Sequence, residues 1–159
     1  MTFSPEMEAR LAQMIERYPA GRQRAALIPM LMYAQDEVGS ITPEVAEEIA
    51  RRLDISTLQV DEIVTYYSML HSKRLGRHHV QICTNVSCML RGGAELWDRA
   101  RRRLGIGHKQ ATADGRISLE EVECIGACSW APALQVNYEF HHNVTAEQLE
   151  RLLDRLGGG

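Results

Sequence analysis

The chain has 159 residues, a formal net charge of −3, 45% hydrophobic and 25% charged residues, the make-up of a globular protein able to bury one core or two small ones. So little charge leaves no footprint for nucleic acid, and the arginine run Arg99 to Arg103 (RARRR) reads as the solvated face of a helix. The opening MTFSPEMEAR carries charges in place of an apolar signal core and no stretch is apolar for long enough to span a bilayer, so the chain is expected to work in the cytosol or facing it.

Ser4-Pro5 predicts a helix start, because proline's missing N–H is not needed in the first turn, and Met7, Leu11, Met14, Ile15 and Tyr18 recur at helical spacing behind it. A second helix runs from about Gln23 to a stop at Gly39, with Pro29 expected beyond its first turn, where it would kink the helix or delay its start. Thr42-Pro43 repeats the cap-then-proline start ahead of Val45, Ala46, Ile49 and Leu53. Ser56 with Gln59 makes a capping box for a fourth helix carrying Val60, Ile63, Val64 and Tyr67. The methionines of this half, spaced as helix-face residues, are read as core filler.

After the polar segment His71 to Arg77 the hydrophobic period changes to that of strands. His79 to Cys83 forms the first, and a helix follows with Leu90, Ala94, Trp97, Arg101 and Leu104 on one face and Cys88 just before it. Asp114-Gly115 marks a turn. Ile117 to Val122, Ala133 to Asn137 and Glu139 to Asn143 supply three more strands, and Thr145 with Gln148 caps a last helix buried through Leu149, Leu152, Leu153 and Leu156. The expected fold class is α+β: a helical bundle domain over residues 1–75, then a β-α-β-β-β-α domain over residues 76–159. A strand, a right-handed crossover helix and a parallel strand, completed by a hairpin and a covering helix, make a thioredoxin-like layer, with the cysteines in loops at one end of the sheet.

Cys83 and Cys88 in CTNVSC and Cys124 and Cys128 in CIGAC are all the cysteines there are. Two tight pairs read as a four-thiolate site. Zinc knuckles usually use the shorter C-x2-C gap; the wider gaps suit a [2Fe-2S] rhomb, although the plant-type C-x4-C-x2-C run is absent; disulfides are the third reading, disfavoured in a reducing compartment. Cys88 is placed at a helix N-terminus, which favours its thiolate. Thr84, Asn85, Val86 and Ser87 offer backbone N–H groups toward sulfur, and Gly126 lets the second loop bend. Pro132 stiffens the exit from that loop or is a plain turn proline, and the isomer of the Ala131–Pro132 bond is left open.

Other sites fail on their residues. Gly105-Ile106-Gly107 follows a helix and lacks a third glycine, so it is a helix stop and not a dinucleotide loop. His78-His79 and His141-His142 are strand neighbours pointing to opposite faces, so neither pair chelates a metal. No nucleophile with a base stands out, and no catalytic residue is assigned.

With RAALIPMLMYAQDEVGSITPEVAEEIARRLDI, VTYYSMLHSKRLGRHHVQICTNVSCMLRGG and DGRISLEEVECIGACSWAPALQVN in hand, nearly the whole chain resembles the thioredoxin-like [2Fe-2S] subunit of bacterial NADH:quinone oxidoreductase, respiratory complex I. The resemblance implies one [2Fe-2S] cluster on Cys83, Cys88, Cys124 and Cys128. It implies a non-catalytic, one-electron carrier docked on a partner subunit that itself binds FMN and NADH. It also implies a place in the peripheral arm on the cytoplasmic side of the inner membrane, touching membrane only through the larger complex. The same module implies two alternatives, the equivalent subunit of an NAD-dependent formate dehydrogenase or of a bidirectional hydrogenase. A stand-alone thioredoxin-like ferredoxin would not need the helical half, and a structural zinc module is the remaining alternative. Departures are small: Tyr66-Tyr67 stands where Phe-Tyr is usual, and Ser129-Trp130 precedes Ala131-Pro132 where smaller residues are common, which bears on solvent access to the cluster loop.

Overall fold

The computed structural model describes residues 2–158. Along the chain it divides between Arg74 and Leu75 into two compact units, each with its own core.

The first unit is helical. Helix α1 (Pro5–Glu16) starts as expected, the Ser4 hydroxyl accepting from the Met7 N–H at 3.2 Å. A 3-10 turn, Gln23–Ala26, leads into α2 (Leu27–Val38), which Gly39 closes at φ +93°. Pro29 therefore lies in the first turn of α2 and not beyond it. Its absent N–H would have had no partner there, so the helix starts late and needs no kink. Helix α3 (Pro43–Leu53) is capped by Thr42 and α4 (Thr57–Tyr66) by the reciprocal Ser56–Gln59 box. Met7, Met14 and Met30 are buried with Leu11, Leu31, Ile49 and Val60 and are core, whereas Met32 is partly buried and Met69 is exposed. Arg52 ties α3 to α1 by pairing with Glu48 and Glu8, both at 2.7 Å.

The second unit is built on a mixed sheet in the order β2-β3-β1-β4-β5: β1 (His78–Cys83), β2 (Gln110–Ala111), β3 (Ile117–Val122), β4 (Leu134–Val136) and β5 (Glu139–His141). β1 and β3 run parallel, with Val80 opposite Leu119 and Cys83 opposite Val122; the other pairings are antiparallel. Between β1 and β2 lie α5 (Val86–Leu90) and α6 (Gly93–Leu104), and α7 (Ala146–Gly157) ends the chain behind the Thr145–Gln148 capping box. Val80, Ile82, Ile117, Leu119, Leu134 and Val136 of the strands share one core with Leu96, Trp97 and Ala100 of α6 and Leu149, Leu152 and Leu153 of α7.

Two expectations need correction. Leu90 does not open the crossover helix: it belongs to the separate short α5 and is 76% exposed, while α6 begins at Gly93 and buries Leu96, Trp97 and Ala100. The break falls at Gly92, whose φ of +93° is a conformation that only glycine adopts freely. The edge strand β2 was not foreseen, since a two-residue strand carries no period to read. The arginine run is an ion-paired helix face: Arg99 meets Glu95, Arg101 meets Asp98, and Arg103 reaches Glu150 and Asp154 of α7. Among the described residues, no helix is long and apolar enough to cross a membrane.

Candidate metal centre

Parallel pairing decides where the cysteines go. β1 and β3 point the same way, so their C-terminal ends lie side by side: Cys83 is the last residue of β1, opposite Val122, and the chain leaving Val122 carries Cys124 two residues on. The junction is stitched by Thr84 N–H to Val122 O and Cys83 N–H to Ala133 O, both at 3.2 Å. Asn85 then caps α5, accepting from the Val86 N–H at 2.6 Å, and Cys88 projects from the third position of that helix. On the other side a 3-10 turn, Cys128–Trp130, presents Cys128.

Cys83 and Cys88 are buried in a small cluster with Ala127, Ala131 and Ala133, flanked by Val122 and Ile125; Cys124 and Cys128 are exposed. Small side chains at the alanine positions keep the space around the thiols open. Burial pushes the Cys88 thiol up to about 11. An N–H of Ala133 works against that rise, and the neighbouring Cys83 and Cys128 thiols add to it. Cys83 interacts directly with Cys88, the Cys128 thiol acts on Cys88 through its charge, and Cys124 is on the same short loop as Cys128.

The thiolate expectation for Cys88 is therefore reversed by its burial. Cys88 sits inside the short α5 and not at the start of the longer helix, and desolvation outweighs what one helical turn contributes. A metal that binds here displaces that proton, as thiolate ligation always requires. The N–H donors also differ from those expected. The Thr84 and Val86 amides are spent on Val122 O and Asn85 Oδ1, whereas the Gly126 N–H donates to Cys124 Sγ at 3.3 Å and the Ala133 N–H favours the charged form of Cys88. Gly126 manages this at φ +76°. Ala131–Pro132 is cis, and the Pro132 carbonyl accepts from the Val144 N–H at 2.9 Å.

His79 and His142 have other occupations. His79 is buried, its ring nitrogens bonded to Ser118 Oγ at 2.9 Å and Glu120 Oε2 at 2.8 Å, and the His142 ring lies against Trp130 at 5.2 Å between centroids. Glu120 was missed by sequence reasoning. Burial raises its pKa, but hydrogen bonds from His79 and Gln81 and the charges of His79 and Lys109 overcome this and hold it at about 2. The available signal was period-two alternation, which puts Glu120 on the Ser118 face of β3, away from Leu119.

Four thiols as two pairs, with the Gly126 N–H directed at Cys124 Sγ and alanines beside the buried pair, fit a [2Fe-2S] group. The family model for thioredoxin-like [2Fe-2S] ferredoxins matches residues 11–157. The chain is 42% identical over 154 residues to a subunit of the NADH-quinone oxidoreductase of Rhizobium meliloti, covering 97% of this chain and 88% of that protein. It is 39% identical over 160 residues to NADH-quinone oxidoreductase subunit 2 of Thermus thermophilus, covering 100% of this chain and 88% of that one. Its fold is similar to part of a chain in the crystal structure of an air-oxidized NAD+-reducing [NiFe]-hydrogenase, with a TM-score of 0.73 at 18% identity over 83% of this chain and 23% of that one. By its sequence match, its sheet and its paired cysteines, the chain belongs to the thioredoxin-like [2Fe-2S] ferredoxin family.

Proposed function

We propose that this chain is the [2Fe-2S] electron-transfer subunit of an NADH:quinone oxidoreductase, holding its cluster on Cys83, Cys88, Cys124 and Cys128. The observation that carries the reading is that two buried and two exposed cysteines are carried on the segments at and after the adjacent C-terminal ends of β1 and β3. The near-full-length likeness to subunits of NADH-quinone oxidoreductase in Rhizobium meliloti and Thermus thermophilus supports it. When bound, such a cluster supplies a one-electron couple. Cys83 and Cys88 hold it from the buried side and Cys124 and Cys128 from the exposed loop. The N–H groups of Gly126 and Ala133 stabilise charge on sulfur, which raises the reduction potential relative to a site without them.

The partner in this reading is a subunit that binds FMN and NADH, with this chain contributing no nucleotide site and no catalytic residue. The assembly belongs to the peripheral arm on the cytoplasmic side of the membrane. The alternatives in an NAD-dependent formate dehydrogenase or a hydrogenase share the cluster chemistry and differ in the neighbouring subunits, so co-purification from the native host separates them. Metal analysis and low-temperature EPR test the cluster itself. About two irons and two acid-labile sulfides per chain are expected, the composition of this cluster type. Stoichiometric zinc in protein made anaerobically with ample iron would overturn the reading.

A further inference from the structure

Gly92 and Gly93 are adjacent glycines with different physical reasons. Gly92 is at φ +93° with nothing within 4 Å of where a Cβ would lie, so its role is backbone conformation alone. Gly93, the first residue of α6, shows no such φ; a Cβ there would meet the Cys83 carbonyl oxygen at 2.6 Å, the Cys88 carbonyl oxygen at 2.8 Å and the Cys88 carbonyl carbon at 2.9 Å. All three lie well inside the 3.4 Å at which ordinary contact begins, and all three are backbone atoms of the two buried cysteines.

We infer that Gly93 is a positioning residue for the thiols: its missing side chain seats the first turn of α6 against the peptides of both Cys83 and Cys88 and so sets the spacing of the buried pair. A methyl group at Gly93 has to push one of those peptides aside. Cys83 is held on both sides, by its own N–H to Ala133 O and by the following Thr84 N–H to Val122 O. Cys88 rides on the short α5, where its carbonyl accepts from the Arg91 N–H at 3.1 Å. The displacement goes mainly into α5 and carries the Cys88 thiol with it. Moving the backbone behind a ligand acts on the metal as other outer-shell changes do, through ligand placement and not through a new bond.

The inference rests on the cluster reading above, and Gly76 supplies the matched control. A Cβ on Gly76 would meet backbone just as closely, at 2.5 Å from the Ile117 carbonyl carbon and 2.6 Å from the Ser118 nitrogen, but at the end of β3 opposite Val122 and the cysteines. The experiment compares the full chain, Gly93→Ala and Gly76→Ala by melting temperature, by EPR of the reduced cluster and by the rate of iron loss to a chelator. Both variants are expected to melt lower than the parent. Only Gly93→Ala is expected to shift the EPR g values and to lose iron about tenfold faster, the scale on which outer-shell changes act. Unchanged g values and iron loss in Gly93→Ala, or equal changes in Gly76→Ala, would overturn the inference. Failure of Gly93→Ala to fold would also overturn it, because the glycine would then be a requirement of the fold and not of thiol geometry. A parent chain without any such spectrum would instead defeat the cluster reading.

Discussion

At the scale of single residues, the two halves of the thiol set are chemically unlike. Cys83 and Cys88 are enclosed among alanines, while Cys124 and Cys128 face solvent, so a mutation on the buried side removes a proposed ligand and leaves a cavity as well. Cys88→Ala is expected to lower iron content well below that of the parent and to bleach the visible spectrum. His141→Ala should leave both unchanged, and loss of the spectrum in that variant would point to a mixed-ligand site. Glu120 makes a separate prediction. Its pKa is held at about 2, below the ordinary 4.5, so its contribution to stability is complete above about pH 4.5 and is lost as pH falls toward 2. A shift of that size corresponds to stability on the order of 3 kcal/mol. In iron-free protein, Glu120→Gln should therefore melt lower at pH 7, and the gap between variant and parent should narrow steadily below pH 4.5. A constant gap across that range would show that the carboxylate's charge is not what stabilises.

At the scale of elements, local chemistry fixes where helices begin. The capping boxes at Ser56–Gln59 and Thr145–Gln148 are both formed, each hydroxyl accepting from an N–H three residues on and each glutamine reaching back. Thr145→Ala is expected to cost about 1 kcal/mol, seen as a lower melting temperature. It should leave the cluster spectrum unchanged, because α7 joins the core with Leu149 and Leu153 and not the thiol pocket. The glycine break after α5 shows the opposite dependence. Leu90 fits the periodic pattern of a longer helix, yet Gly92 splits that helix in two and turns Leu90 outward. The split is what allows one short helix to carry Cys88 and the next to press on its backbone.

At the scale of the whole chain, two independent cores imply two separable tasks. The sheet unit holds all four thiols, and the helical unit holds none. Deleting the helical unit through Arg74 is expected to leave the EPR signal of the remaining chain largely unchanged and to abolish co-purification with the proposed FMN- and NADH-binding partner. Retention of the partner by the shortened chain would assign docking to the sheet unit instead. The isolated full chain, free of flavoprotein, is expected to show no NADH–ferricyanide activity in a standard absorbance assay, since the one glycine pair with a nucleotide-loop look is a helix stop at Gly105, φ +66°.

The sequence by itself determined the side-chain-capped helix starts, the main buried stripes and the two-pair spacing of the cysteines, because capping, hydrophobic period and thiol spacing are local and each residue type carries its own physical preference. Ser4, Thr42, Ser56 and Thr145 all cap where their side chains predict, and the apolar stripes behind them are the buried faces. Only the tertiary structure decided which amides serve sulfur, the two-residue strand β2, the isomer of Ala131–Pro132 and the buried bond between His79 and Glu120. Each of these depends on how the chain is brought together in space: Cys88 answers to Ala133, and His79 to Glu120. Burial likewise overrides helix position at Cys88, since desolvation of a thiolate is set by everything packed around it and not by the residues beside it in the chain.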